Sequence, residues 1–330
     1  MQSVPETSVQ YKITLFVLLT SITSCNVVLV NYSRSQVGGP LYLTSTTVFL
    51  IEMTKLFISF FCLMKEQRGF VGACRIIQQD VIEKKRETLL LSFPSVLYMV
   101  QNNLSFFALT LIDAASFQIT YQCKLITTAV VMYLMIGKTF TRLQIFSLFM
   151  LFFGVCLVHW EEIESGDGKT SKAFVFSEYT FGISATIAMT FCSAGAGVYF
   201  EKVVKSSSVS LWVRNIQLYI FCGLSALVNI LFKDFSVIRS KGFFYGYNNY
   251  VILIIFVNSF GGITTSLLLK YLDNLYKNFA SSMSIICAAL FSLYFGKSFG
   301  ILFVAGAFLV CTSLFTYSYT PTRGTPISRV

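Results

Sequence analysis

The sequence predicts an all-α multi-pass membrane protein with ten transmembrane helices in a five-plus-five inverted repeat. Of its 330 residues, 55% are hydrophobic and only 12% are charged, whereas a soluble protein carries about 25% charged residues. Apolar runs long enough to cross a bilayer recur along the chain. In addition, one stretch of the first half resembles a stretch of the second half.

The apolar runs predict ten spans, and their approximate bounds in chain order are 11–32, 41–64, 88–110, 113–137, 141–160, 177–202, 208–232, 248–271, 274–295 and 298–319. Asp113 and Asp273 each precede a span, and their position and type predict helix N-caps. Because the number of spans is even, both termini are expected on the same side of the membrane.

The loop charges predict the orientation. Lys and Arg residues concentrate in the loops that a cytosolic N-terminus places in the cytosol. The 65–87 loop is the richest, with Lys65, Arg68, Arg75, Lys84, Lys85 and Arg86. We therefore expect a first five-helix repeat at 1–160, a lumenal loop at 161–176, a second repeat at 177–319 and a cytosolic tail at 320–330.

Residues 109–140 resemble residues 269–299, and the match ends with Gly137-Lys138-Thr139-Phe140 against Gly296-Lys297-Ser298-Phe299. The second copy begins five spans after the first. Because five is odd, the second copy must enter the membrane from the opposite side. Such inverted repeats place a cargo site at the midplane between the halves and support alternating access.

Four basic residues lie inside predicted spans: Lys55, Lys124, Arg214 and Lys277. A charge there costs at least about 2.5–3.5 kcal/mol, so it needs a partner or a task. Lys124 and Lys277 occupy related places in the two halves. Lys277 alone could also extend towards the headgroups. Two ammonium groups that face one cavity would suit a diphosphate or a phosphodiester, which indicates an anionic cargo.

Polar residues accompany these charges. Tyr98 and Asn102 lie four apart, Tyr121 and Lys124 lie three apart, and each pair therefore shares a helix face. Such faces line a cavity or form hydrogen bonds between helices. Glu52 lies three residues before Lys55, and we expect these two to neutralise each other as a structural or gating pair.

The second half offers a further set of polar residues. Asn215 and Tyr219, four apart, can hydrogen-bond to a base and stack on it, whereas Arg214 either anchors its helix end or has a task that the sequence does not specify. Ser193 opens the run 193–197, in which small residues permit close helix packing or the approach of a flat ligand.

Composition argues against other functions. A single histidine and the lack of a CxxC pair in the nine cysteines predict no metal site and no cofactor. Glu52 and Glu201 are too isolated for acid–base catalysis, so no enzyme is expected. A seven-helix receptor conflicts with ten spans. The net charge of +10 follows from loop bias and does not indicate nucleic-acid binding.

Six segments carry a family resemblance, and they read VQNNLSFFAL (100–109), LIDAASFQITYQCKL (111–125), SAGAGVYFEKVVKSS (193–207), SLWVRNIQLY (210–219), KGFFYGY (241–247) and KYLDNLYKNFASSMSI (270–285). With the remainder of residues 11–319, they resemble the pyrimidine nucleotide-sugar transporters of the Golgi membrane. The resemblance implies the ten-helix drug/metabolite transporter fold. It also implies an antiporter whose partners are a cytosolic nucleotide sugar, a lumenal nucleoside monophosphate and the lipid bilayer; a homodimer is left open.

The resemblance also implies residue roles. Lys124 and Lys277 would bind phosphate. The sugar and ribose would contact Tyr98, Asn102 and Tyr121, and the pyrimidine base would contact Ser193, Asn215 and Tyr219.

The chain departs from the family at Phe117, where tyrosine is common, and at Asn278, where the family shows glycine. Its segments resemble both the UDP-sugar and the CMP-sialic acid branches. We expect a UDP-sugar cargo of the galactose or N-acetylglucosamine type, with CMP-sialic acid as the alternative.

Overall fold

The computed structural model describes residues 8–35, 42–162, 176–293 and 300–319, and every regular element in these ranges is helical. The α-helices are α1 (Val9–Ser35), α2 (Thr44–Glu66), α3 (Phe70–Ile77), α4 (Lys85–Leu90), α5 (Ser92–Leu111), α6 (Ala114–Tyr121), α7 (Lys124–Ile136), α8 (Arg142–Glu162), α9 (Phe176–Ser206), α10 (Leu211–Asn229), α11 (Phe235–Lys241), α12 (Asn249–Tyr271), α13 (Asn274–Leu293) and α14 (Ile301–Tyr319). Short π-helical segments at Gln78–Glu83 and Ile230–Asp234 join α3 to α4 and α10 to α11.

Within the described ranges, eight helical stretches are long and apolar enough to cross a membrane, and they cover 9–30, 44–66, 116–136, 142–160, 177–206, 211–241, 249–271 and 301–319. The protein is therefore a multi-pass membrane protein. The other two predicted spans correspond to α5 and α13, each 20 residues long. Both carry several polar side chains, which lowers their hydropathy, and their assignment as spans stays a prediction.

Three predicted spans are divided or clearly extended in the structure, and one of them, 88–110, is divided at Leu91 between α4 and α5. The predicted helix 113–137 is divided into α6 and α7 by a tight turn at Gln122 and Cys123, whose backbone N–H groups donate to carbonyls three residues earlier. The predicted helix 208–232 continues to Lys241 through the second π segment. No glycine or proline interrupts residues 224–241, and the helix ends only at Gly242.

The helix termini follow local chemistry. Asp113 caps α6, since its carboxylate accepts the Ser116 N–H at 2.8 Å, as predicted. Helix α13 begins immediately after Asp273. Helix α7 ends at Gly137, whose φ of 73° suits glycine at a helix C-terminus. The matching segment 296–299 of the second copy lies outside the described residues.

The helices pack as two compact units, each of which takes helices from both halves of the sequence. The first unit comprises Met1–Val96 and Val203–Asp273, and the second comprises Leu97–Lys202 and Asn274–Val330. In the first unit α2 packs on α10 and α12, and α1 packs on α12. In the second unit α8 packs on α14, and α13 packs on α7, α8 and α14. The repeat boundaries remain a prediction, and the segments 163–175 and 320–330 lie outside the described residues.

Small residues permit a close contact between α8 and α14 in the second unit. A Cβ added at Gly306 on α14 would lie 2.6 Å from the carbonyl oxygen of Gly154 on α8. Only glycine allows the two backbones to approach so closely, and such packing supplies much of the association energy between helices in lipid.

Candidate functional site

Two lysines from different helices lie near each other in the second unit. Lys124 is the first residue of α7, directly after the tight turn, and Lys277 lies in the first turn of α13. Both are deep in the protein, and their ammonium groups are close enough to repel each other. Yet each keeps part of its surface accessible. This combination is expected of side chains that line a cavity, not of side chains packed in a core or extended to bulk water.

Neither lysine is neutralised by an ion pair. Ion pairs do form elsewhere in the described chain, for example those of Lys55 with Glu52 and of Arg214 with Glu87, but they include neither Lys124 nor Lys277. An unpaired buried ammonium is unstable unless something compensates its charge. The pair of lysines is therefore a site that favours an anion.

Aromatic and hydroxyl groups surround Lys124. Its ammonium lies 4.6 Å from the centroid of the Tyr121 ring, within the range of a cation–π contact. The Phe117 ring stacks on Tyr121, with centroids 6.1 Å apart and planes 8° apart. The Ser193 side chain, from α9, lies near the Tyr121 hydroxyl. The structure thus brings three of the predicted residues, Tyr121, Lys124 and Ser193, into one cluster.

Glu201 on α9 is a member of this region that sequence reasoning missed. Its carboxylate accepts the backbone N–H of Asn274 at 2.8 Å and is close enough to attract Lys277. Gly197, one turn earlier, makes room for this junction, since a Cβ there would lie 2.7 Å from the Asn274 side chain. Its signal in the sequence is a lone acid in an apolar span, where a charge is costly.

The two lysines and Glu201 leave a surplus of one positive charge. The Glu201 carboxylate accepts a backbone N–H at the start of α13, and it does not form a direct ion pair with either lysine. A phosphate bound between the two lysines would be attracted by both ammonium groups.

Helix α13 is fixed against α7 by a buried contact one residue beyond Lys277. The Asn278 amide donates to the Thr128 hydroxyl at 3.0 Å, and Phe279 is completely buried. At the position where the related family shows glycine, this chain therefore has an amide that holds two lysine-bearing helices together.

Tyr98 and Asn102 lie one turn apart on α5 of the same unit. The Asn102 side chain is exposed and the Tyr98 side chain is half-buried. Their role in cargo contact stays a prediction.

The first unit holds the other predicted residues. Lys55 Nζ lies 2.6 Å from Glu52 Oε1 and 4.7 Å from the centroid of the Tyr219 ring. The Tyr219 hydroxyl and the Ser266 hydroxyl share a hydrogen bond of 3.2 Å. Unlike Lys124 and Lys277, Lys55 has its charge compensated by an adjacent carboxylate. Whether the pair has a structural or a gating role stays a prediction.

Asn215 is completely buried on α10. Neither polar atom of its side chain has a hydrogen-bond partner among the described residues. A buried polar group without a partner costs about 1–3 kcal/mol, so such groups call for an explanation. Tyr219, one turn further along α10, is also buried. Their role as base contacts stays a prediction, and an orphaned amide is a group that a ligand would satisfy.

Arg214 is held by a network at the start of α10. Its guanidinium donates to Glu87 at 2.7 Å, to Ser207 at 2.8 Å and to Gln217 at 3.0 Å. All three partners belong to the first unit. Of the two roles that the sequence left open, the structure shows an anchor that joins the start of α10 to α4.

A family model described as "Nucleotide-sugar transporter" matches residues 7–318. The chain belongs to the nucleotide-sugar transporter family. This finding agrees with the resemblance seen in the sequence, and the chain is accordingly a transporter and not an enzyme.

Several relatives of this family member are close to it in sequence over most of their length. The UDP-N-acetylglucosamine transporter of Mus musculus is 37% identical over 312 residues, with 92% of this chain and 94% of the relative covered. The UDP-N-acetylglucosamine/UDP-N-acetylgalactosamine transporter of Caenorhabditis elegans is 37% identical, with 97% of each chain covered. The UDP-galactose transporter of Schizosaccharomyces pombe is 37% identical, with 94% and 90% covered.

A crystal structure of another protein also resembles this transporter. It aligns with a TM-score of 0.68 and 12% sequence identity, and the match covers 94% of this chain and 98% of that one. At so low an identity the likeness concerns the fold alone.

Proposed function

We propose that this transporter imports a UDP-sugar of the galactose or N-acetylglucosamine type into the Golgi lumen in exchange for a nucleoside monophosphate. It would do so by alternating access, with ten spans in a five-plus-five inverted repeat and cytosolic termini. The relatives at 37% identity are named as transporters of UDP-N-acetylglucosamine and UDP-galactose, which supports the choice of cargo.

The observation that carries the proposal is the pair of unneutralised lysines, Lys124 and Lys277, in the second unit. The diphosphate of a UDP-sugar carries two negative charges at neutral pH. The phosphate of a nucleoside monophosphate carries a charge of about −1.5 to −2. Either anion would compensate the two ammonium groups, so both suit the same site.

The same charges supply a physical reason for exchange. Without an anion, the two ammonium groups would repel each other inside a medium of low dielectric constant, where such repulsion is strong. We propose that this makes conformational switching of the empty carrier unfavourable. A bound anion, cargo or monophosphate, removes the repulsion and permits the switch.

The remaining predicted residues would orient the cargo. In this proposal Tyr98, Asn102 and Tyr121 contact the sugar and the ribose. Ser193, Asn215 and Tyr219 contact the base, and the orphaned Asn215 amide would gain its missing partners there. CMP-sialic acid is the second candidate cargo, favoured by the segment around Tyr219.

The test is uptake into proteoliposomes loaded with UMP, with CMP or with buffer alone. Labelled UDP-galactose, UDP-N-acetylglucosamine and CMP-sialic acid are compared. We expect uptake of a UDP-sugar that requires internal UMP. Lys124→Gln and Lys277→Gln should each reduce it about 10- to 100-fold, because each removes a charged hydrogen bond worth about 1.5–3 kcal/mol.

A third lysine of the second unit serves as the matched control. Lys138 Nζ donates to the Tyr317 hydroxyl at 3.2 Å and has no place in the proposed site, so Lys138→Gln should keep most of the activity. Undiminished uptake in both Lys124→Gln and Lys277→Gln would refute the anion site. Equal uptake into vesicles without nucleotide would refute exchange, and a preference for CMP-sialic acid would favour the second candidate.

A further inference from the structure

The stretch between α2 and α5 is bound to the first unit along one face. We refer to residues 70–90, which comprise α3, the first π segment and α4, as the α3–α4 segment. Ala73 and Val81 of this segment are buried in a core cluster together with Leu63 of α2 and Val213 of α10. The segment is therefore packed against the helices, and its orientation about its own axis is fixed.

Hydrogen bonds also hold this face of the α3–α4 segment against α10. Arg214 pairs with Glu87 at 2.7 Å. The Gln217 amide donates to the Asp80 carbonyl at 2.8 Å and to the Thr88 hydroxyl at 2.9 Å. With the inward face held by α10, the opposite face of the α3–α4 segment must point away from the first unit.

That outward face carries large apolar side chains. Phe70 and Val71 are 63% and 72% exposed, and Ile82, Leu89 and Leu90 are also exposed. An exposed apolar group of this size in a water-facing loop would promote aggregation or mark an interaction site.

The exposed residues continue the apolar surface of the flanking helices. Three exposed apolar residues lie where the chain enters α5, and they are Leu89, Phe93 and Val96. Their spacings of four and three residues place them along one side of the chain. On α2, the exposed Phe61 precedes Lys65 by one turn, and Lys65 Nζ lies 4.8 Å from its ring centroid. A lysine that extends past an aromatic ring at a helix end is typical of a membrane border.

Most basic residues on and beside the segment form no ion pair with any described residue. Asp80 is paired with Lys84, and Glu87 is paired with Arg214. In the described part of the chain, four nearby cations form no ion pair, and they are Arg68, Arg75, Lys85 and Arg86. All four side chains are exposed. The outward surface therefore combines apolar side chains with a surplus of positive charge.

We propose that the α3–α4 segment is a binding surface for anionic lipid. Its apolar side chains enter the boundary between headgroups and acyl chains, and its unpaired cations bind negatively charged headgroups. A bilayer fits better than a protein partner, because α2 leads into the segment and α5 leads out of it. The end that follows α2, which is long and apolar enough to span a membrane, is thereby held at the membrane border. The proposal concerns lipid alone and does not depend on which cargo is carried.

The test follows the position of Phe70 in a bilayer. A Phe70→Trp variant of the full chain is reconstituted into vesicles of phosphatidylcholine with increasing phosphatidylserine, and its emission is compared with that of the wild type. We expect the added fluorescence to be quenched by lipids brominated near the headgroup and to be protected from aqueous iodide. Brominated phosphatidylserine should quench the introduced tryptophan at least about fivefold more effectively than brominated phosphatidylcholine. A fivefold preference corresponds to one well-placed cation.

Two charge variants of Phe70→Trp complete the experiment. The combination Arg75→Gln, Lys85→Gln and Arg86→Gln should abolish the preference for phosphatidylserine while quenching by brominated phosphatidylcholine persists. The matched control, Lys233→Gln, Arg239→Gln and Lys241→Gln, removes three cations elsewhere in the first unit and should keep the preference. Quenching by iodide but not by brominated lipid would refute the proposal. So would equal quenching by the two brominated lipids in Phe70→Trp, or a preference that the first combination leaves unchanged.

Discussion

Glu201 Oε2 accepts the backbone N–H of Asn274 at 2.8 Å, and this contact joins α9 to the start of the helix that carries Lys277. The N-terminus of a helix carries a partial positive charge, which a carboxylate stabilises. The same carboxylate lies close enough to Lys277 to attract it. Glu201 therefore has two effects, one on the stability of α13 and one on the charge of the proposed anion site.

The two effects can be separated by two substitutions of Glu201. Glu201→Gln keeps an oxygen that can accept the Asn274 N–H but removes the charge. We expect little change in melting temperature and about fivefold tighter binding of UMP, because the anion then meets a more positive site. Glu201→Ala removes the acceptor as well and should lower the free energy of unfolding by about 1–2 kcal/mol. Thermal unfolding and UMP binding, both in detergent, provide the measurements. Weaker UMP binding to Glu201→Gln would contradict this account.

Arg214 should matter more for stability than its partner Glu87. The arginine is buried, whereas 46% of the Glu87 side chain is exposed, so water screens the pair. We expect Arg214→Ala to cost about 3 kcal/mol, because it also leaves Gln217 and Ser207 without a donor. Glu87→Gln should cost about 1 kcal/mol or less. Denaturant unfolding of both variants and of the double variant gives the coupling energy. A loss for Glu87→Gln as large as that for Arg214→Ala would contradict the ranking.

Substitution of two adjacent glycines on α12 tests the contact that holds Lys55 beside Glu52. A Cβ at Gly262 would lie 2.5 Å from Lys55 Cδ, whereas a Cβ at Gly261 would lie 3.1 Å from the Cγ2 methyl of Ile22. Alanine raises helix propensity equally at both positions. The difference in stability between the two alanine variants therefore reports the contact with Lys55. We expect Gly262→Ala to cost about 1–3 kcal/mol through overpacking and to displace Lys55 from Glu52. Gly261→Ala should be nearly neutral.

Transport distinguishes the proposed roles of this pair. If the Lys55–Glu52 pair acts in gating, uptake by Gly262→Ala should fall more than its stability predicts. Uptake that follows stability alone would leave the pair a structural role. Indistinguishable stabilities of the two alanine variants would show that Lys55 is not held by Gly262.

Phe117 should influence cargo selection, because it stacks on Tyr121 beside Lys124. Phe117→Tyr adds a hydroxyl at the edge of the proposed site. We expect it to raise uptake of CMP-sialic acid relative to UDP-galactose about two- to tenfold, the range that one neutral hydrogen bond supplies. Competition between the two cargos in CMP-loaded and UMP-loaded vesicles measures the ratio. Phe117→Leu serves as the control for ring packing, and an equal shift in both variants would contradict a role for the hydroxyl.

The sequence by itself determined the class of the protein and the residues that need an explanation. Long apolar runs dictate membrane helices, because no other open structure satisfies its backbone in lipid. The Asp113 cap was also predictable, since a capping side chain acts on the next few residues. Lys124 and Lys277 stood out because a charge among apolar residues is costly wherever it lies.

Only the tertiary structure decided which groups meet. That Arg214 is bound to Glu87 and that Glu201 caps α13 depend on contacts between distant parts of the chain. The break between α6 and α7 is likewise associated with such a contact, since the buried Gln122 shares a 3.3 Å hydrogen bond with His159 on α8. Spacing along one helix specifies a shared face, but the partner across that face is specified by how the helices pack.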